Sequence, residues 1–117
     1  MPGTCSTTIR TDVAKASGGM RRDLRITEDY EYWLYLSTFG KWGFIPKILY
    51  VSDGGIVTQK QGHVKKDIER ARKSPDMADF EKRIIKRITE VDAKNYIKVR
   101  GRVSRVLVYS HCLLYTS

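Results

Sequence analysis

Trp42-Gly43-Phe44-Ile45-Pro46-Lys47-Ile48-Leu49-Tyr50-Val51 is a run dominated by aromatic and β-branched residues, and its reading decides the fold class. It reads as two short β segments broken at Pro46, because proline supplies no donor to a ladder. Ser52-Asp53-Gly54-Gly55 then reads as a loop on composition. Upstream, Thr27 is a suitable N-cap for a helix from about Glu28 to Thr38, with Glu28 and Asp29 in the first turn that the helix dipole favours. Tyr30, Trp33 and Leu34 would form its apolar face and Gly40 would close it. Further back, Asp12 to Ser17 suits one or two helical turns stopped by Gly18-Gly19, and Cys5 to Arg10 reads as a short strand.

Beyond the loop the pattern turns helical. His63 to Lys73 reads as a charged surface helix. Ser74-Pro75 interrupts the chain, with Pro75 suited to position N1 of the next helix. Phe80, Ile84, Ile85 and Ile88 recur at helical spacing as an apolar stripe. Residues 92–109 are open between helix and strand, given Gly101 and their β-branched content. The expected class is α/β (an α+β piece), with strand and helix first and a helical, basic C-terminal part.

The 117 residues are 41% hydrophobic, enough for a core. Net charge is +9 and unevenly spread. Residues 1–58 carry seven basic and six acidic side chains, a balance of +1, and residues 59–117 carry fifteen and seven, a balance of +8. Such asymmetry suits a polyanionic partner, nucleic acid or an anionic membrane surface, or equally a solvated helical face. No apolar run approaches the roughly 20 residues that cross a bilayer, and no apolar segment of signal-peptide type opens the sequence. Cys5 and Cys112 show neither CxxC nor Cys/His ligand spacing, so neither a disulfide framework nor a zinc site is indicated. The expected location is cytoplasmic, or peripheral at the inner face of the membrane.

One segment carries chemistry. Gly18-Gly19-Met20, then Asp23-Leu24-Arg25-Ile26-Thr27-Glu28-Asp29, then Tyr30-Glu31-Tyr32-Trp33-Leu34-Tyr35-Leu36 resembles the family 2 glycosyltransferases. In that family a Gly-Gly-hydrophobic turn, a loop ending in Glu-Asp and a helix of the form YxxWLxL follow one another. Gly43 to Tyr50 resembles the strand that comes next in the family, and the whole likeness covers roughly residues 6–54. On its own, Thr27-Glu28-Asp29 is also what any helix N-terminus looks like; the order of flanking elements gives it a second meaning.

The resemblance implies a GT-A, Rossmann-like fold and an inverting reaction. Residues 1–58 would be the acceptor-side part of the catalytic domain and residues 59–111 a basic helical extension. Asp29 would be the catalytic base, taking a proton from an acceptor hydroxyl as it attacks the anomeric carbon of a nucleotide-sugar. Glu28, Trp33 and Asp53 are the acceptor-binding candidates, although Trp33 also reads as core. His63 is a candidate for contact with diphosphate or metal. A divalent metal, Mg or Mn, is implied by the family, but its DxD-type ligand motif does not precede Asp29. The nucleotide-binding half is missing too, so the chain is expected to be a piece of a larger hexosyltransferase, inactive alone. That parent would use a nucleotide-sugar donor and a glycan or lipid-linked acceptor.

Cys112-Leu113-Leu114-Tyr115-Thr116-Ser117 matches the translation of a transposase adaptor used in sequencing libraries, so residues 112–117 are expected to lie outside the natural sequence. The competing reading is a small basic module that binds nucleic acid or an anionic membrane. Its support is Tyr96 and Tyr109 among Lys94, Lys98, Arg100, Arg102 and Arg105. Nucleic acid is the weaker partner, since no RRM, KH, zinc-finger or helix-turn-helix signature accompanies these residues.

Overall fold

A computed structural model of the chain describes residues 6–24, 26–51 and 72–112. Among them the regular elements are helices: α1 (Thr11–Ser17), α2 (Glu28–Ser37), α3 (Met77–Ile85) and α4 (Glu90–Cys112). The expected α/β class is therefore overturned, because no strand forms among the described residues.

The physical reason lies in the run from Trp42. β-branched and aromatic residues favour strands only where they pack on a pleated surface beside a partner strand. None lies alongside among the described residues: Phe44 and Ile48 are each 88% exposed and Val51 83%. Instead, the Lys47 N–H donates to the Ile45 carbonyl at 2.8 Å, closing a three-residue turn around Pro46. The strand expected over 5–10 is also missing from its described part. Ser6 is in 3₁₀ conformation, and residues 7–10 run without regular structure into α1.

The helical expectations fare better. Residues 11–17 form α1, and Gly18 ends it in the left-handed conformation at φ 69°, followed by Gly19 at φ 80°. A side chain at either glycine would be strained there, although there is open space for it. Helix α2 starts at Glu28 and stops at Ser37, with Thr38 rather than Gly40 as its cap. Thr27 holds the N-cap position without working as a cap: its φ is 64° and its hydroxyl donates to the Ile26 carbonyl. In α3 the cap is Asp76, which accepts from the Asp79 N–H at 2.7 Å, so Pro75 lies two places before the first helical residue instead of at N1. The stretch 92–109 falls entirely within α4. The segment 63–71 lies outside the described residues.

Two apolar clusters flank α2. Phe80 and Ile84 of α3 meet Val103 and Leu107 of α4, with Leu34 and Tyr35 of α2 packed against them. Tyr32, Trp33 and Leu36 of α2 form the second cluster, joined by Ile9 and by Val13 of α1. Each such side chain stabilises by about 1.5–3 kcal/mol when fully buried. Of the expected stripe, Phe80 and Ile84 are buried and Ile88, just beyond α3, packs against them, so only Ile85 departs. Ile84 is 1% exposed, whereas its neighbour Ile85 is 50% exposed. Both parts of the expected division at residue 58 contribute to the first cluster.

Candidate functional site

Helix α2 presents the two acidic residues that the sequence singles out. Glu28 and Asp29 are its first two residues, each partly exposed. One Asp29 oxygen, Oδ1, accepts from the Tyr30 backbone N–H at 2.8 Å, the kind of contact that uses an otherwise unpaired N–H of the first turn. No ion pair engages either carboxylate among the described residues.

Asp23, Asp79 and Glu81, by contrast, are paired with cations. Arg21 bonds both Asp23 and Asp79, and its Nη1 donates to the Asp79 carbonyl at 2.6 Å. Lys82 completes this group through Asp79 at 2.9 Å. The Arg21 guanidinium holds the Asp23 carboxyl far below its ordinary range, and the Lys82 ammonium, with Arg21, lowers that of Asp79. On another face, Glu81 accepts from Arg100 at 2.8 and 2.9 Å and from the Tyr96 hydroxyl at 2.7 Å. The Arg100 contact lowers the Glu81 carboxyl, while burial, with Glu81 beside it, drives the Tyr96 hydroxyl upward.

Most deeply placed is Glu31, two residues after Asp29. It is 0% exposed and receives both Nε and Nη2 of Arg83, each at 2.6 Å. A third nitrogen of Arg83 donates to the Gly19 carbonyl at 3.0 Å, and the guanidinium lies over the Tyr35 ring, 4.0 Å from its centroid. This one arginine therefore ties the α1–α2 loop, α2 and α3 together. Sequence reading passes Glu31 by as one more acid of a first turn. The available signal is its register: Leu34 and Tyr35, three and four residues on, face the α3–α4 core.

Trp33 is 6% exposed, packed between Tyr32 and Trp42, with ring centroids 5.6 and 6.1 Å away. It has joined the core, as the second of its two sequence readings has it. Its Nε1 is buried without a hydrogen-bond partner among the described residues. A cleft of about 180 Å³ borders this cluster, lined by Ile9, Arg10, Val13, Leu36, Phe39 and Trp42 among others, and Asp29 is not part of it. Glu28, Asp29 and Trp33 thus share one helix, whereas Asp53 and His63 lie outside the described residues. Among those described, no three His, Cys, Asp or Glu gather as metal ligands, so none of them is assigned to the implied Mg or Mn. Nor is any helix there long and apolar enough to cross a membrane.

The chain matches no known protein family, no curated protein and no solved structure.

Proposed function

We propose that the chain supplies the acceptor side of an inverting glycosyltransferase, with Asp29 as its general base. A contrast along α2 carries this reading. Asp29 is partly exposed with no cation beside it among the described residues, while Glu31 is buried and clamped by Arg83 at 2.6 Å. General-base chemistry asks for such a carboxylate, free to accept a proton and standing on an element that does not move. The order of residues from Gly18-Gly19 through Glu28-Asp29 to Trp33-Leu34 is the second support. The proposal makes no use of a parallel sheet.

In the proposed step an acceptor hydroxyl gives its proton to Asp29 as its oxygen attacks the anomeric carbon of a nucleotide-sugar. The bond from that carbon to the diphosphate oxygen breaks on the opposite face, and the nucleoside diphosphate leaves with the electron pair. Configuration at the anomeric carbon inverts. Glu28 points away from Asp29, since adjacent helix positions do not share a face, and is available to bind the acceptor. Donor binding falls to polypeptide other than these residues.

The test uses a longer polypeptide joining this chain to a donor-binding unit. There, Asp29→Asn lowers kcat by about 10²–10⁴-fold, the usual worth of a general base, while donor affinity is unchanged. Glu28→Gln raises KM for the acceptor and leaves kcat within a few-fold. Full activity in Asp29→Asn sinks the proposal, as does sugar transfer by the 117-residue chain alone from UDP- or GDP-sugars with Mg or Mn.

A further inference from the structure

Two groups stand out among the described cations. Arg21, Lys82, Arg83 and Arg100 are held in ion pairs, and Arg87 lies over the Phe39 ring at 3.7 Å. Their charge is spent holding α2, α3 and α4 together. Lys94, Lys98, Arg102 and Arg105 behave differently. All four are exposed, and no ion pair engages them among the described residues.

Helix geometry places these four on one side. At about 100° per residue they fall within roughly 80° of arc, spread over about 16 Å of axis. That stripe lies opposite Val103 and Leu107, which are each 4% exposed and face α3. No Asp or Glu occurs after Asp92, so nothing in α4 beyond that point opposes the stripe. Along its border stand two aliphatic side chains with no cover, Ile97 at 68% and Val108 at 56% exposed.

We infer that the outer face of α4, through Lys94, Lys98, Arg102 and Arg105 with Ile97 and Val108 beside them, docks on an anionic lipid bilayer. Charge complementarity selects an anionic surface, since each Lys or Arg held near one contributes about 1 kcal/mol. Among the described side chains the border offers aliphatics that can enter the acyl boundary of a bilayer and no aromatic on which a base could stack. Arg105 keeps its reach while its Nε donates to the Gly101 carbonyl at 3.3 Å, one turn back in the same helix. This docking is independent of the role proposed for Asp29 and is read without any activity.

Vesicle co-sedimentation of the full chain tests it. Vesicles with about a third phosphatidylglycerol retain the protein at about 0.1 M salt, release it at about 0.5 M, and pure phosphatidylcholine does not retain it. Replacing Lys94, Lys98, Arg102 and Arg105 by Gln weakens partitioning at least about tenfold. Replacing Lys15, Arg22, Lys41 and Lys47 by Gln removes the same charge from other exposed sites and changes it by less than about twofold. Equal losses in the two variants overturn the inference, as does equal binding to both lipids or tighter, salt-sensitive binding to RNA. A dye reports the face without altering its charge. In a Cys5→Ser, Cys112→Ser background, a polarity-sensitive label on Ile97→Cys blue-shifts with anionic vesicles and one on Lys15→Cys does not. An unshifted label at residue 97 overturns the inference even if the glutamine variant fails to fold.

Discussion

Arg83 grips Glu31 with two nitrogens, Nε on Oε1 and Nη2 on Oε2, both at 2.6 Å, and the carboxylate so held is wholly shielded from water. Breaking a buried pair from one side leaves an uncompensated charge and costs about 3–5 kcal/mol. Arg83→Met therefore destabilises strongly, as does Glu31→Leu, which strands the partly buried arginine. The double variant Glu31→Leu/Arg83→Met loses less than the sum, because neither charge remains. Urea unfolding of the four proteins gives the coupling directly. Additive losses would show that the pair does not act as a unit.

Two neighbouring isoleucines offer a sharper test of packing. Ile84 is sealed between Phe80 and α4, while Ile85 is half exposed. Ile84→Ala opens a cavity and costs about 2–5 kcal/mol, whereas Ile85→Ala stays near the few tenths expected of a surface change. Comparable losses at both positions would mean that α3 is rotated from the orientation described.

These isoleucines also mark how far the sequence can be read. The spacing Phe80–Ile84 announces a helical face, but whether Ile85 or Ile88 completes it depends on where α4 lies. Nothing local encodes that. Residues 90–112 hide their helix behind β-branched residues and Gly101, and only Val99, Val103 and Leu107, repeating every fourth residue, reveal it. The run from Trp42 misleads for the opposite reason. Its composition is that of a strand, yet a strand needs a neighbour, and the described part of the chain brings none. At the candidate site, the start of α2 is legible in Thr27-Glu28-Asp29. The clamp beneath it is not, because Glu31 and Arg83 stand 52 positions apart and each looks, locally, like an ordinary charged residue.

Acid should loosen the fold through the carboxylates whose ionised forms the native state favours. Those of Asp23, Asp79 and Glu81 are all lowered, by Arg21, by Lys82 with Arg21, and by Arg100 respectively. A depressed folded value adds stability that is complete above the unfolded value, near pH 4, and is lost as pH falls through the folded one. Asp23 and Asp79 are substantially exposed, so solvent screening trims their share. Glu81, with a side chain 10% exposed, retains more of its own. The urea midpoint should accordingly hold steady from about pH 7 to 5 and drop below about 4. Glu81→Gln lowers the plateau and makes the drop shallower. An unchanged drop in that variant would assign acid sensitivity to other groups.

Thr27 carries the last prediction, since it is the one described residue other than glycine with positive φ. A β-branched side chain in the left-handed region is strained, by about 1–2 kcal/mol. Its hydroxyl does not recover this by capping α2, because it turns back to the Ile26 carbonyl instead. Asparagine tolerates the left-handed region far better than a β-branched residue, so Thr27→Asn should raise stability by about 0.5–1 kcal/mol. Thr27→Val keeps the branch, leaves the Ile26 carbonyl without its donor and should lower stability. If Asn instead destabilises as much as Val, the positive φ is not a source of strain. Strain of this kind accumulates where a backbone is held for a purpose, and Asp29 stands two residues away. In the longer polypeptide, the stabilised Thr27→Asn variant should therefore lose transfer activity, with kcat falling by about tenfold while Asp29 itself is unaltered. A variant both more stable and fully active would separate the strain at Thr27 from the chemistry proposed for Asp29.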